Sequence, residues 1–198
     1  MTSTTAALPT EIAAWPLPSK GRVCMICLII AESAIFTIFV AAYLYYLGKS
    51  LTGPTPQQVL ELPILNTVCL LCSSATITFA LRALVQGEVR RFGFWWLATI
   101  ALGGYFLLGT GVEWRHLIVE KGLTIKTNLF GTTFYSLVGL HASHVVIGLL
   151  ALLIVMVLTL AGAVKPGHAE RTEVLALYWH FVDAVWVVVF TVVYLIGR

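Results

Sequence analysis

The stretch VVIGLLALLIVMVLTL, residues 145–160, decides the fold class because it is apolar almost throughout and shows no alternation of apolar and polar positions. It belongs to a longer apolar run, and the chain contains five such runs, bounded by charged residues, Gly or Pro: 22–48, 62–85, 92–118, 129–164 and 174–196. About 20 helical residues cross the hydrocarbon core of a membrane. Hydrocarbon offers no partners to backbone groups, so continuous runs of this length indicate helices. The sequence predicts an all-α integral membrane bundle of five transmembrane helices.

The composition agrees with a membrane protein. Of the 198 residues, 59% are hydrophobic and only 11% are charged, and the mean hydropathy is +0.93. Soluble domains carry about 25% charged residues. The net charge of +3 is not gathered into a basic cluster, so no nucleic-acid partner is expected. Residues 1–21 are predicted to form a polar tail without the features of a cleaved signal peptide, followed by a membrane domain at 22–198.

The positions of Lys and Arg predict the orientation, because cytoplasmic loops carry an excess of these residues. Five alternating spans place seven of the twelve basic residues on the side of the N-terminus, several of them in the short turn from Arg82 to Arg91. We therefore expect the N-terminus inside and the C-terminus outside. Tryptophans near the predicted ends of the spans are interpreted as interfacial belts: Trp15, Trp95, Trp96, Trp114 and Trp179.

Four cysteines form two Cys-x-x-Cys pairs, Cys24 with Cys27 and Cys69 with Cys72. The first pair begins one span near the inner face, and the second follows the outer start of the next span. At 1.5 Å of rise per residue the pairs should differ in depth by more than about 10 Å. One tetrahedral metal site is therefore not expected, and the cysteines are interpreted as small packing residues.

Ionisable residues inside the predicted spans are the candidates for function. Glu32 lies about ten residues into the first span, roughly 15 Å deep. His141 and His144 are three residues apart on the fourth span, so they share a face at a comparable depth. A hydrogen bond from Glu32 to a histidine is predicted. A functional role is favoured for Glu32, whereas a purely structural bond between helices is an equal alternative for the histidines.

Further polar residues occur near the span ends and in the fifth span. Glu113 closes the third span and is interpreted as an interfacial anchor. His180 and Asp183 are three residues apart in the fifth span, and Glu173 is placed at its inner boundary. This row could carry a proton, bind a lipid headgroup or form a hydrogen-bonded contact between helices.

Four segments, in order, resemble subunit III of the haem-copper respiratory oxidases: AESAIF (31–36), GTTFY (131–135), GLHASHVVIG (139–148) and YWHFVDAVW (178–186). Ala31 stands where that family usually has Ser. The resemblance covers 22–198. Mitochondrial-type members have seven spans, and this chain aligns with the last five, as do bacterial members of both cytochrome c and quinol oxidases. The resemblance therefore implies a multi-pass protein of a bacterial plasma membrane.

The resemblance implies a non-redox subunit of a proton-translocating terminal oxidase in aerobic respiration. Such a subunit contacts subunit I directly, with subunit II, small subunits and a larger respiratory assembly as further partners, and haem and copper stay in the partner subunits. It binds phospholipid, supports proton uptake and protects the oxygen-reducing site during turnover. Glu32 matches the carbodiimide-reactive carboxyl of the family. The other residues that match acidic or signature positions are Glu113, His141, His144, Glu173, His180 and Asp183. The residues expected to pack against subunit I are Tyr178, Trp179, Phe181 and Trp186.

The histidine count agrees with a supporting role. Haem and copper centres need several fixed ligands. Of five histidines, His116 and His168 fall in loops, which leaves three at membrane depth. No redox centre is therefore expected in this chain. Two alternatives stay open: a stand-alone metalloenzyme that binds metal through Glu32, His141 and His144, and a proton-coupled transporter with Glu32 as carrier, a class that usually shows inverted repeats.

Overall fold

A computed structural model describes residues 19–50 and 53–197, with the side chain of Gln58 excepted, and this part of the chain is all-helical. Five helices are long and apolar enough to cross a membrane: α1 Lys20–Tyr46, α3 Ile64–Val85, α4 Val89–Val119, α5 Leu129–Leu160 and α6 Ala169–Phe190, which continues as the π-helical turn Thr191–Ile196. A single turn, α2 Pro56–Val59, lies between α1 and α3. The predicted all-α bundle of five long helices is confirmed.

Local side-chain bonds and turns set the ends of the helices. The Ser19 hydroxyl accepts the Arg22 N–H at 3.3 Å and caps α1, and the Asn128 side chain accepts the Gly131 N–H at 2.8 Å and caps α5. At the tight turn between α3 and α4, Gly87 adopts a φ of +82°, which glycine tolerates without strain. The helices α4 and α6 begin three and five residues before the predicted spans, because polar turns at the membrane boundary remain helical.

Two expectations fall on residues that are not described. Trp15 and most of the predicted tail 1–21 lie outside the described residues. The division into a tail and a membrane domain at 22–198 therefore stays a prediction.

Helix α6 lies at the centre of the bundle. It packs against α1, α3 and α5, while α4 packs against α3 and α5. Helix α1 is peripheral, since Phe36 and Tyr43 are its two buried residues. The ionisable residues of α6 are therefore surrounded by neighbouring helices, whereas α1 presents most of its length to the outside of the bundle.

Trp179 of α6 occupies a slot between two glycines. A Cβ atom added at Gly103 of α4 would lie 2.8 Å from the indole ring, and one added at Gly148 of α5 would also lie 2.8 Å from it. The indole N–H donates to the Ser73 hydroxyl of α3 at 2.9 Å. Trp179 thus joins three helices, and it is fully buried within the chain.

The interpretation of the tryptophans as interfacial belts was wrong for Trp96 and Trp179. Both rings are fully buried, and the Trp96 indole donates to the Leu152 carbonyl at 2.9 Å. A position along the sequence predicts depth in the membrane but not which side of the helix faces the core. Trp95 and Trp114 are partly exposed near helix ends, where the belt interpretation still applies.

The interpretation of the cysteines as packing residues was also wrong for three of the four. Cys24, Cys27 and Cys72 are exposed on the outside of the bundle, and Cys69 is half-buried. The two α1 cysteines are exposed because α1 is peripheral. These thiols therefore contribute little to packing within this chain.

Candidate functional site

Glu32 and His144 form a polar pair between α1 and α5. The Glu32 Oε2 atom lies 3.1 Å from the His144 Nε2 atom, and His144 is 8% exposed. The Tyr178 hydroxyl of α6 donates to the His144 backbone carbonyl at 3.2 Å. Three helices therefore meet at this pair, and the predicted bond between Glu32 and a histidine is confirmed.

The contact of the second ring nitrogen of His144, Nδ1, indicates which ring nitrogen carries a hydrogen. His144 Nδ1 lies 2.8 Å from the Leu140 carbonyl oxygen, which can only accept. Nδ1 therefore carries a hydrogen. A hydrogen bond between Nε2 and the Glu32 carboxyl then needs one hydrogen between these two atoms. The contacts of His144 therefore place one hydrogen between its Nε2 atom and Glu32.

His141 does not join this pair, although it shares a face of α5 with His144. Its ring stacks on Trp186 at a centroid distance of 5.0 Å and contacts the edge of Phe106 at 5.8 Å. Both of its ring nitrogens are buried without a hydrogen-bond partner among the described residues. The aromatic enclosure separates it from Glu32. Within residues 19–50 and 53–197, no three His, Cys, Asp or Glu side chains are grouped closely enough to hold a metal ion.

His180 and Asp183 come together through a residue of another helix. The Ser74 hydroxyl of α3 lies 3.0 Å from His180 Nδ1 and also donates to Asp183 Oδ2. Asp183 is 3% exposed. The three-residue spacing on α6 places both side chains on the face that meets α3. The result is a second polar cluster, formed by Ser74, His180 and Asp183.

Glu173 and Glu113 each contact one partner at opposite ends of the bundle. Glu173 forms an ion pair with Arg22 of α1, and both side chains are about half exposed. Glu113 accepts a hydrogen bond from the buried Tyr194 hydroxyl at 2.8 Å. It also lines a cavity of about 790 Å³ with Asn66. The interpretation of Glu113 as a simple interfacial anchor is therefore incomplete, because a buried hydroxyl holds its carboxylate.

The aromatic residues of the 178–186 segment pack mainly within the chain. Tyr178, Trp179 and Trp186 are buried, and the Trp186 indole donates to the Thr67 hydroxyl at 3.2 Å. These three rings are enclosed by their own bundle, and the expected packing of this segment against subunit I stays a prediction. Phe181 is partly buried and reaches the outer groove between α1 and α6.

The sequence interpretation missed three contact residues: Ser74, Tyr194 and Arg22. Ser74 follows Thr67 by seven residues on α3, so two hydroxyls recur on the face that meets α6. This spacing was the available signal. Tyr194 and Arg22 gave no comparable pattern, because each is a single residue near the end of a span.

The fold and the polar contacts define a class: a multi-pass helical membrane protein with ionisable side chains paired between its helices. A family model described as cytochrome c oxidase subunit III matches residues 18–198. A cytochrome c oxidase subunit 3 of Alkalihalophilus pseudofirmus is 35% identical over 168 residues, covering 84% of this chain and 82% of the relative. The Synechocystis protein is 41% identical, covering 85% and 72%, and the Corynebacterium diphtheriae protein is 32% identical, covering 96% and 95%. The chain belongs to the cytochrome c oxidase subunit III family, the third subunit of haem-copper terminal oxidases.

Proposed function

We propose that this chain is the non-redox subunit III that binds directly to subunit I of its oxidase and supports proton uptake towards the oxygen-reducing site. Subunit II and small subunits are the further partners, and haem and copper are held by the partner subunits. The observation that carries the proposal is the Glu32–His144 pair, in which the carboxyl and imidazole groups lie 3.1 Å apart between α1 and α5. A titratable group inside a membrane helix is costly, and such groups mark proton routes.

The same proposal includes bound phospholipid. A lateral groove of about 300 Å³ runs between α1 and α6, with Phe36, Val40, Phe181 and Val185 in its walls. Such an apolar groove fits an acyl chain. Phe36 also contacts the His144 ring at a centroid distance of 5.0 Å. A lipid in this groove would therefore exclude water from the side of the Glu32–His144 pair, which supports a role in protecting the complex during turnover.

The proposed orientation has the N-terminus inside and the C-terminus outside. The start of α1, the α3–α4 turn and the α5–α6 connection lie at one end because the five long helices alternate in direction. These segments carry Lys20, Arg22, Arg82, Arg90, Arg91, Lys165 and Arg171. The positive-inside rule assigns that end to the cytoplasm. The relatives described above come from bacteria, which supports a bacterial plasma membrane.

The first test is purification of the tagged chain in mild detergent, followed by a reduced-minus-oxidised spectrum and an oxygen-uptake assay. We expect haem bands and oxidase activity from co-purifying subunits. A colourless single polypeptide would refute the assignment to an assembled oxidase.

The second test addresses the proton role in the purified complex. Glu32→Gln replaces the carboxyl group with an amide that cannot ionise, so we expect slower proton uptake and earlier inactivation during turnover with unchanged haem content. Glu61→Gln is the matched control, since Glu61 is exposed and lies outside the long helices. Equal proton uptake and equal lifetime in the two variants would remove the proton role and leave only a structural one.

A further inference from the structure

Asp183 is an unusual carboxyl because it is buried within α6 and has no cationic partner among the residues that the structure describes. It is 3% exposed, and its Oδ1 atom has no hydrogen-bond partner among the described residues. In the same part of the chain, the ion pairs involve neither Asp183 nor His180. A purely structural carboxyl at this depth would be expected to bond through both oxygens, since an unmet buried acceptor is costly. Packing alone therefore does not explain why a carboxyl group is buried at position 183.

Among the described residues, one hydroxyl bonds to Asp183, that of Ser74, and it also bonds to His180. A serine hydroxyl has one proton to donate and lone pairs to accept with. Ser74 therefore donates to one of the two groups and accepts from the other. When His180 carries its proton on Nδ1, Ser74 accepts from His180 and donates to Asp183. When Asp183 is protonated, the two bonds reverse and Ser74 donates to His180.

Polar side chains of α3 and α6 also occur between this cluster and the end of the bundle where α6 begins. Ser74, Thr78 and Arg82 recur every four residues and so lie along one face of α3. A cavity of about 350 Å³ between α3 and α6 is lined by Arg82, Gln86 and Glu173, together with three apolar residues of the same two helices. This volume is ample for several waters. His180 is only partly buried, and it lies two helical turns beyond Glu173 along α6.

We propose that the Ser74 hydroxyl passes protons between His180 and Asp183, so that Asp183 exchanges its proton with the groove between α3 and α6. In uptake, a hydronium ion in the groove gives a proton to His180 Nε2 and becomes water. The Nδ1–H bond of His180 breaks as an O–H bond forms on Ser74, and the original Ser74 proton moves to Asp183 Oδ2. The products are a neutral carboxyl and a neutral imidazole protonated on Nε2, and release follows the same steps in reverse.

This unit is separate from the Glu32–His144 pair, which lies between α1 and α5. The inference deepens the proposed function, on which it rests for the assembled complex used in the test. It adds Asp183 as a second carboxyl that holds a proton. Ser74 positions this carboxyl and connects it to His180 through hydrogen bonds. Oxidase assembly and oxygen uptake are measured on the same samples, so failure of the proposed function is recognised independently of the result for Asp183.

The test is infrared spectroscopy of the assembled oxidase after transfer into D₂O, over a series of pH values. The carboxyl C=O band of Asp183 is assigned as the band that disappears in Asp183→Asn. We expect this band to show fast exchange of hydrogen for deuterium in the parent protein. In Ser74→Ala the exchange should slow roughly 100-fold, the lower end of the usual effect of a positioned proton-transfer group. Ser74→Thr keeps the hydroxyl and should restore fast exchange.

The control is Ser33→Ala, because the Ser33 hydroxyl donates only to the Ile29 carbonyl of its own helix, at 2.7 Å. If the oxidase does not assemble with Ser74→Ala, the same exchange measurement on His180→Gln tests the proposal. An amide at this position can still bond to Ser74 but cannot take up a proton. Exchange as fast in Ser74→Ala or His180→Gln as in Ser33→Ala would overturn the proposal. The absence of any protonated Asp183 band across the pH series would overturn it equally.

Discussion

The close packing around Trp179 predicts that Ala substitutions at two adjacent glycines of α4 differ in their effect on stability. A Cβ atom at Gly103 would lie 2.8 Å from two atoms of the Trp179 ring and 3.1 Å from Leu149, whereas one at Gly104 would have no neighbour within 4 Å. Both positions are inside the same helix. Gly103→Ala and Gly104→Ala therefore differ almost entirely in this contact.

The magnitude follows from two opposing contributions. Replacing Gly by Ala within a helix gains about 1 kcal/mol, and this gain applies equally to both positions. At Gly103 the ring would have to move by about 0.6 Å to restore a 3.4 Å contact, but its other edge faces Gly148 at a similarly close distance. Overpacking of this kind costs about 1–3 kcal/mol. Gly104→Ala should therefore be more stable than Gly103→Ala by about 1–3 kcal/mol.

The assay is unfolding in mixed detergent micelles with increasing dodecyl sulfate, followed by far-ultraviolet circular dichroism. Trp179→Phe removes the ring atoms that clash, so the double variant with Gly103→Ala should lose less stability than the two single variants added together. Equal unfolding midpoints for Gly103→Ala and Gly104→Ala would refute the reasoning. Strict additivity in the double variant would show that the lost stability has another cause.

Two further predictions concern single polar contacts. Arg22→Gln should lower the free energy of unfolding by less than about 1 kcal/mol, because Arg22 and Glu173 are both half exposed. High salt should abolish this difference. A large loss of stability that does not depend on salt would contradict the prediction. Tyr194→Phe should cost about 1–3 kcal/mol, since Glu113 loses its buried donor. Tyr43→Phe is the control and should leave the free energy of unfolding unchanged, because the Tyr43 hydroxyl is buried without a partner among the described residues. Equal losses of stability in Tyr194→Phe and Tyr43→Phe would show that the bond to Glu113 does not stabilise the fold.

The sequence was sufficient to predict the five long helices and one of the polar pairs. Length and hydropathy identify the helices because a membrane accepts few other structures. The pairing of Glu32 with a histidine followed from counting residues, since equal depth on two helices brings side chains to the same level. The choice of His144 over His141 was not predictable, because it depends on the rotation of α5 about its axis.

The errors share this cause. Trp179 and the cysteines were placed at a depth but not on a side of their helices, and the side decides whether a residue is buried or exposed. Ser74 escaped notice because a single hydroxyl in an apolar helix resembles any small residue. Its role depends on two residues of α6 that are more than 100 positions later in the chain.

The peripheral position of α1 has a consequence for biosynthesis. The contact between Glu32 and His144 cannot form until His144, which lies 112 residues later in the chain, has been synthesised. At 5–20 residues per second, translation of that interval takes about 6–22 s. During this time α1 resides in the bilayer with an unpaired carboxyl group, and its exposed apolar residues such as Ile26, Ile30 and Ile38 hold it there. The exposed apolar surface of α1 therefore suits it to remain in the bilayer before the helices that pack against it have been synthesised.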